Sequence, residues 1–122
     1  MEAIAARFAS HINIVHVYIV DAHPADGWLT PENGDDQDAV CVMQPTTLAE
    51  RIAVARTFVA AASVAGAVYI DAMDNAVELA YEARPEKLVV VDDAGCVVWK
   101  SGIGPYQYSP RALDAWLEAR WG

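Results

Sequence analysis

The sequence predicts a three-layer α/β domain, and two observations carry the prediction. Segments rich in β-branched residues alternate with segments of helical periodicity, and two apolar runs near the C-terminus flank Asp-Asp-Ala-Gly, residues 92–95, as the arms of an antiparallel hairpin do. At 122 residues the chain has room for one core and one domain. Hydrophobic residues make up 55% of it and charged residues 20%, with a mean hydropathy of +0.18, which excludes a disordered chain.

Each element has its own warrant. Residues 2–10, EAIAARFAS, read as a short helix with Ile4 and Phe8 four apart on its apolar side, starting too early to carry a cap. Residues 12–20, INIVHVYIV, are apolar on both alternations, as expected of a strand covered on both faces of a parallel sheet, and the strand's end delivers Asp21 and His23. A connection over residues 22–46 holds Pro24, Pro31, Gly34, Pro45 and the acid-rich ENGDDQD. Loops of this length in a small domain are usually functional or mobile.

Residues 46–63 form the best supported helix: Leu48, Ile52, Ala55, Val59 and Ala62 recur at helical steps, Thr46 or Thr47 can cap it, and Glu50 is placed for a capping box. A short strand over residues 67–71 passes into the acid-bearing DAMDN and a helix of two or three turns. The hairpin over residues 87–100 needs Gly95 to take a positive φ. After the turn-rich SGIGPYQY, Ser109 caps a last helix with Pro110 at its first position and Leu113, Trp116 and Leu117 on its buried side. The order α-β-α-β-α-β-β-α fits a thioredoxin-like plan, except that such domains place a strand before the first helix.

Charge and composition remove whole classes of function. A net charge of −9, with eight Lys and Arg that form no run, repels nucleic-acid phosphates and anionic lipid. No apolar run approaches the roughly 20 residues of a membrane helix, and the first ten residues lack the pattern of a signal peptide. The expectation is a soluble, cytoplasmic chain with no nucleic-acid or membrane partner. Cys41 and Cys96 fit neither a metal site nor a CxxC pair and read as free thiols, Cys96 as a buried small hydrophobe. His16 reads as a core histidine, His11 as a solvated helix-end residue, and His23 equally as loop packing or as a functional group. Trp28 can wall a pocket or cap the core. Asp71, Asp74 and Asn75 read as helix caps rather than as ligands of a cation.

Four segments, VYIVDAHPADGW, LAERIAVA, VYIDAMDNAVELAYEARPEKLVVV and KSGIGPYQYSPRALDAWL, together resemble the iodothyronine deiodinases and their microbial relatives in order over nearly the whole chain. Tyr18, Ile19, Ala22, His23, Asp26, Gly27 and Trp28 match the first family motif, with Val20 and Asp21 where the family has two acids. Asp71, Met73, Asp74, Asn75, Ala76 and Tyr81 match the second, and Gly102, Gly104, Pro105 and Tyr108 the third. A second family histidine, just before the segment matched by Leu48, Glu50 and Arg51, falls on Pro45.

The resemblance implies a thioredoxin-like oxidoreductase that removes iodine reductively from an aromatic ring with a selenolate or thiolate, using a thiol reductant and no cofactor or metal. His23 would protonate the ring carbon and Asp21 would hold the imidazole. Trp28 and Pro85 would face a small aromatic substrate, an iodothyronine or another halogenated ring. Pro85 stands where thioredoxin-like folds keep a cis-proline, although a trans turn proline is the ordinary reading. Cys41, weakened by acidic neighbours, would be the candidate resolving thiol. The family's selenocysteine precedes the first helix, at the end of the strand that the plan lacks, and Met1 falls where its Pro-Pro-Phe would end.

Since UGA is read as a stop by default, Met1 is expected to be a start placed inside the active-site helix; the alternative is a natural short protein, a non-catalytic module that binds a partner or aromatic near Trp28. Residues 12–20 and 88–91 would then both be sheet edges and invite a homodimer. The DNA immediately 5′ of the Met1 codon tests this. In-frame reading through a UGA should give Pro-Pro and an aromatic preceded by an apolar strand; an earlier stop with its own ribosome-binding site would contradict it.

Overall fold

The computed structural model describes residues 1–22, 24, 27, 42–64 and 66–122. Its elements follow the expected order: α1 (Glu2–Arg7), β1 (Val15–Tyr18), α2 (Leu48–Ala62), β2 (Ala67–Ile70), α3 (Ala76–Tyr81), β3 (Val89–Val91), β4 (Val97–Lys100) and α4 (Pro110–Trp121). The class is mixed α/β. The sheet is not continuous: β1 pairs in parallel with β2, Val15 opposite Ala67 through Tyr18 opposite Ile70, while β3 pairs antiparallel with β4.

The local chemistry explains most of these elements. Thr47 caps α2 by accepting the Glu50 amide, and Glu50 returns the bond to the amides of Thr46 and Thr47, completing the capping box. The bonds from the Thr46 amide and hydroxyl hold the Glu50 carboxyl below its ordinary pKa. Ser109 caps α4, with Pro110 at the first position. Gly95 takes φ +81° in the hairpin turn, where the Asp92 carboxylate accepts from the amides of Ala94 and Cys96. Gly66, at φ +89°, lies so close to β1 that a Cβ there would stand 2.8 Å from the Ile14 carbonyl oxygen, so no larger residue fits the entry to β2.

Packing corrects three expectations. Ile4 and Phe8 of α1 and Leu113 and Leu117 of α4 form one buried cluster, against which Ile12, Leu88, Val90, Trp99, Trp116 and Trp121 pack. That cluster covers one face of the hairpin. Residues 12–20 do not form a strand covered on both faces: β1 is only four residues long, with Val15 and Val17 49% and 39% exposed. Cys96 is exposed rather than buried, because it belongs to the turn and β4 begins one residue later. On α2 the buried residues are Arg51 and Ala55, while Leu48 is exposed, so the helix turns a cation inward.

The edges stand as expected, since among the described residues β1 has β2 as its sole strand neighbour and β3 has β4. Unpaired apolar edges favour pairing between chains. Light scattering over a concentration series should therefore show reversible association, reduced in Val17→Lys, because an edge lysine blocks strand pairing. A chain that stays monomeric at every concentration and melts cooperatively above about 60 °C would contradict this.

Candidate functional site

Because β1 and β2 run parallel in register, their C-terminal ends lie side by side, the place where α/β sheets present binding groups. Asp21 follows β1 and Asp71 follows β2. The backbones are tied there by the Asp71 amide, which donates to the Tyr18 carbonyl at 2.9 Å. The Tyr18 hydroxyl donates to Asp21 Oδ1 at 2.5 Å, a short charge-assisted bond. Asp21 Oδ2 is buried and has no partner among the described residues. The Tyr18 ring, half-buried and tilted on Phe58 of α2, has its phenol pKa pushed well up, first by burial and then by the hydrogen bond to Asp21 and its charge, with Arg51 pulling the other way.

The turn after β2 is held from two sides. The Asp71 carboxylate, on a residue only 2% exposed, accepts from the amides of Val77 and Glu78 and so caps α3, while Asp74 accepts from the Ala76 amide. These acids are caps, as expected. Arg51, 1% exposed, donates to the carbonyls of Asp71 and Ala72 and to Asn75 Oδ1 at 2.7–3.0 Å. Asn75 takes a left-handed backbone at φ 57°, which asparagine tolerates better than most residues.

A third segment meets the same end of β1. Arg84 donates to the Asp21 carbonyl at 3.3 Å, the Arg84–Pro85 peptide is cis, and Glu86 accepts at its carbonyl from the Gly104 amide. The Gly104–Pro105 peptide is cis as well. Ser101 fastens this loop to β3, exchanging bonds with Leu88 through its amide and hydroxyl. Tyr108 in the loop has its phenol pKa raised, by burial first and the Glu86 charge second.

The structure thus ties Asp21 to Arg84, the residue before Pro85, through one side-chain hydrogen bond. His23, Trp28 and Cys41 lie outside the described residues. Among the described residues no three His, Cys, Asp or Glu side chains form a group that could hold a metal. A cavity of about 360 Å³ between α3 and the hairpin, lined by Ala80, Tyr81, Glu82, Val89, Val97 and Lys100, shares no residue with this cluster. Sequence reasoning missed Tyr18 and Arg51 as site residues. The sequence offered one partial signal for Arg51: it stands four residues before Ala55 on the same face of α2, although periodicity alone does not show that this face takes a cation inward.

Fold and site together define an α/β domain with a phenol–carboxylate pair and a buried arginine at the ends of two parallel strands. The family model for iodothyronine deiodinase matches residues 2–121, and the chain belongs to that family. It is similar to thyroxine 5-deiodinase of Ovis aries, 28% identical over 96% of this chain and 38% of the relative. Thyroxine 5-deiodinase of Homo sapiens is 29% identical over 96% and 36%, and type II iodothyronine deiodinase of Fundulus heteroclitus 31% identical over 94% and 43%. The chain spans roughly two fifths of the length of these curated relatives. No helix among the described residues is long and apolar enough to cross a membrane.

The raised phenol pKa of Tyr18 links stability to pH. The folded state keeps the proton that the unfolded chain gives up near pH 10, so this contribution is whole below about pH 10 and is lost as pH rises beyond it. Urea denaturation between about pH 9 and about pH 11 should show stability falling, and Tyr18→Phe should flatten part of that fall. Superimposable profiles would show that Tyr18 ionises alike in both states.

Proposed function

We propose that these 122 residues are the proton-handling and substrate-facing part of a deiodinase-type oxidoreductase built on a thioredoxin-like plan. Its substrate class is small halogenated aromatics, iodinated ones first, and its reductant a thiol. The selenolate or thiolate nucleophile is supplied from outside residues 1–122. The observation that carries the reading is Asp21: one carboxylate oxygen is committed to Tyr18 and the other is buried without a partner among the described residues, at a strand end in a chain of this family.

That free oxygen is the acceptor an imidazole N–H would need. With His23 two residues on, Asp21 orients the ring so that its other nitrogen delivers a proton to the ring carbon. In balance, the carbon–iodine bond breaks, iodine passes to the chalcogenolate and the carbon takes the proton. Two thiol equivalents then release iodide and restore the chalcogenolate, becoming a disulfide. Cys41 is a candidate for one of them, Trp28 walls the aromatic site, and Pro85 lies beside the reacting atoms. The two separate sheets support the thioredoxin-like plan, in which one further strand would lie between β1 and β3.

Iodide release from a diiodophenol with dithiothreitol tests the reading. The 122-residue chain should be inactive, and a longer version carrying cysteine or selenocysteine ahead of Met1 should be active. In that longer protein His23→Ala should slow turnover by about 10²-fold or more, and Asp21→Asn should slow it too. Robust activity of the short chain would refute the assignment, and aromatic binding without any iodide release from the longer one would mark a non-catalytic module.

A further inference from the structure

Arg51 is a buried cation that, among the described residues, has no carboxylate against its guanidinium; its bonds go to the Asp71 and Ala72 carbonyls and Asn75 Oδ1, and its Nε has no partner there. The contacts run on without a break. Asp71 donates its amide to the Tyr18 carbonyl, and Tyr18 donates its hydroxyl to Asp21. We propose that Arg51 is a positioning residue for the site: by holding the 71–75 turn against the end of β1, its guanidinium fixes where the Asp21 carboxylate stands.

Three features favour positioning over plain packing. A planar guanidinium reaches acceptors on both sides of the turn from two nitrogens held in a rigid fork, whereas the three donors of a lysine ammonium rotate about a single nitrogen. The turn it grips contains Asn75 in a left-handed conformation, so the turn is held from its side chains as well as its backbone. The two buried side-chain atoms without partners among the described residues, Arg51 Nε and Asp21 Oδ2, stand at the two ends of this chain of contacts, a donor and an acceptor with capacity left for further groups of the site. The catalytic consequence rests on the reading of Asp21 given above; the coupling itself does not.

The test uses proton NMR on the full 122-residue chain without substrate, comparing the parent with Arg51→Lys and Asn75→Gly. The parent should show a slowly exchanging Tyr18 hydroxyl proton and a protected Asp71 amide. In Arg51→Lys the hydroxyl signal should be lost and Asp71 should exchange about tenfold faster or more, while the Ser101 and Leu88 amides of the hairpin stay as in the parent. Asn75→Gly removes one acceptor and keeps the left-handed backbone, so it should move Tyr18 and Asp71 in the same direction by less, and it carries the test should Arg51→Lys fail to fold.

Unchanged Tyr18 and Asp71 signals in a folded variant would overturn the proposal. So would faster exchange that spreads equally to Ser101 and Leu88, the mark of a purely structural role. In the longer, active protein Arg51→Lys should lower kcat with KM unchanged. A lost hydroxyl signal with parental kcat would uphold the positioning and refute the role given to Asp21, which separates the two claims.

Discussion

The cluster at the strand ends depends on a cation with almost no access to water. A buried charge is costly unless its donors are met, and Arg51 meets most of that requirement among the described residues with two backbone carbonyls and one amide oxygen, leaving only its Nε without a partner there. Losing a bond to a buried charged group costs upward of about 1–3 kcal/mol, a large part of a net stability of about 5–15 kcal/mol. The 71–75 turn therefore has little freedom. Asp71 closes the arrangement by placing its carboxylate on the amides at the start of α3.

From that constraint the site takes its shape. The turn supports the end of β1 through the Asp71–Tyr18 backbone bond, Tyr18 reaches Asp21 through its hydroxyl, and Arg84 meets the Asp21 carbonyl from the segment leading into β3. Three separate stretches of chain converge on the end of β1, and one bond there reaches the Asp21 carboxylate. The hairpin and its loop form a second unit, centred on the α1–α4 cluster and fastened by Ser101, with Arg7 bridging to Asp114 and Glu118 on the outside. Those exposed ion pairs add little; the apolar cluster between the helices holds the unit together.

Features set by neighbours in sequence were legible before the structure. The capping box at Thr47 and Glu50, Ser109 and Pro110 at the start of α4, the Gly95 turn and the apolar pair Ile4 and Phe8 each depend on residues within a few positions of one another. Features set by distant packing were not. The stripe on α2 suggested Leu48 as a buried residue, yet Leu48 is exposed and Arg51 buried, because the acceptors that draw the guanidinium inward lie some twenty residues away. Periodicity reports which face of a helix is apolar and carries no information about a polar partner on another element.

The site divides along the same line. Asp21 at the end of an apolar strand and Pro85 at the entry to another could be singled out from composition, turn chemistry and resemblance. That Tyr18 is bonded to Asp21, that one oxygen of Asp21 has no partner among the described residues, and that Arg84 reaches the Asp21 carbonyl were decided only by folding. By itself the sequence determined the order of elements, the caps and turns, and the residue types at the strand ends, since these follow from short-range propensity and hydrogen bonding. Tertiary structure decided the pairing of β1 with β2 apart from the hairpin, and which polar groups meet, since both depend on long-range contacts between segments that sequence spacing does not encode.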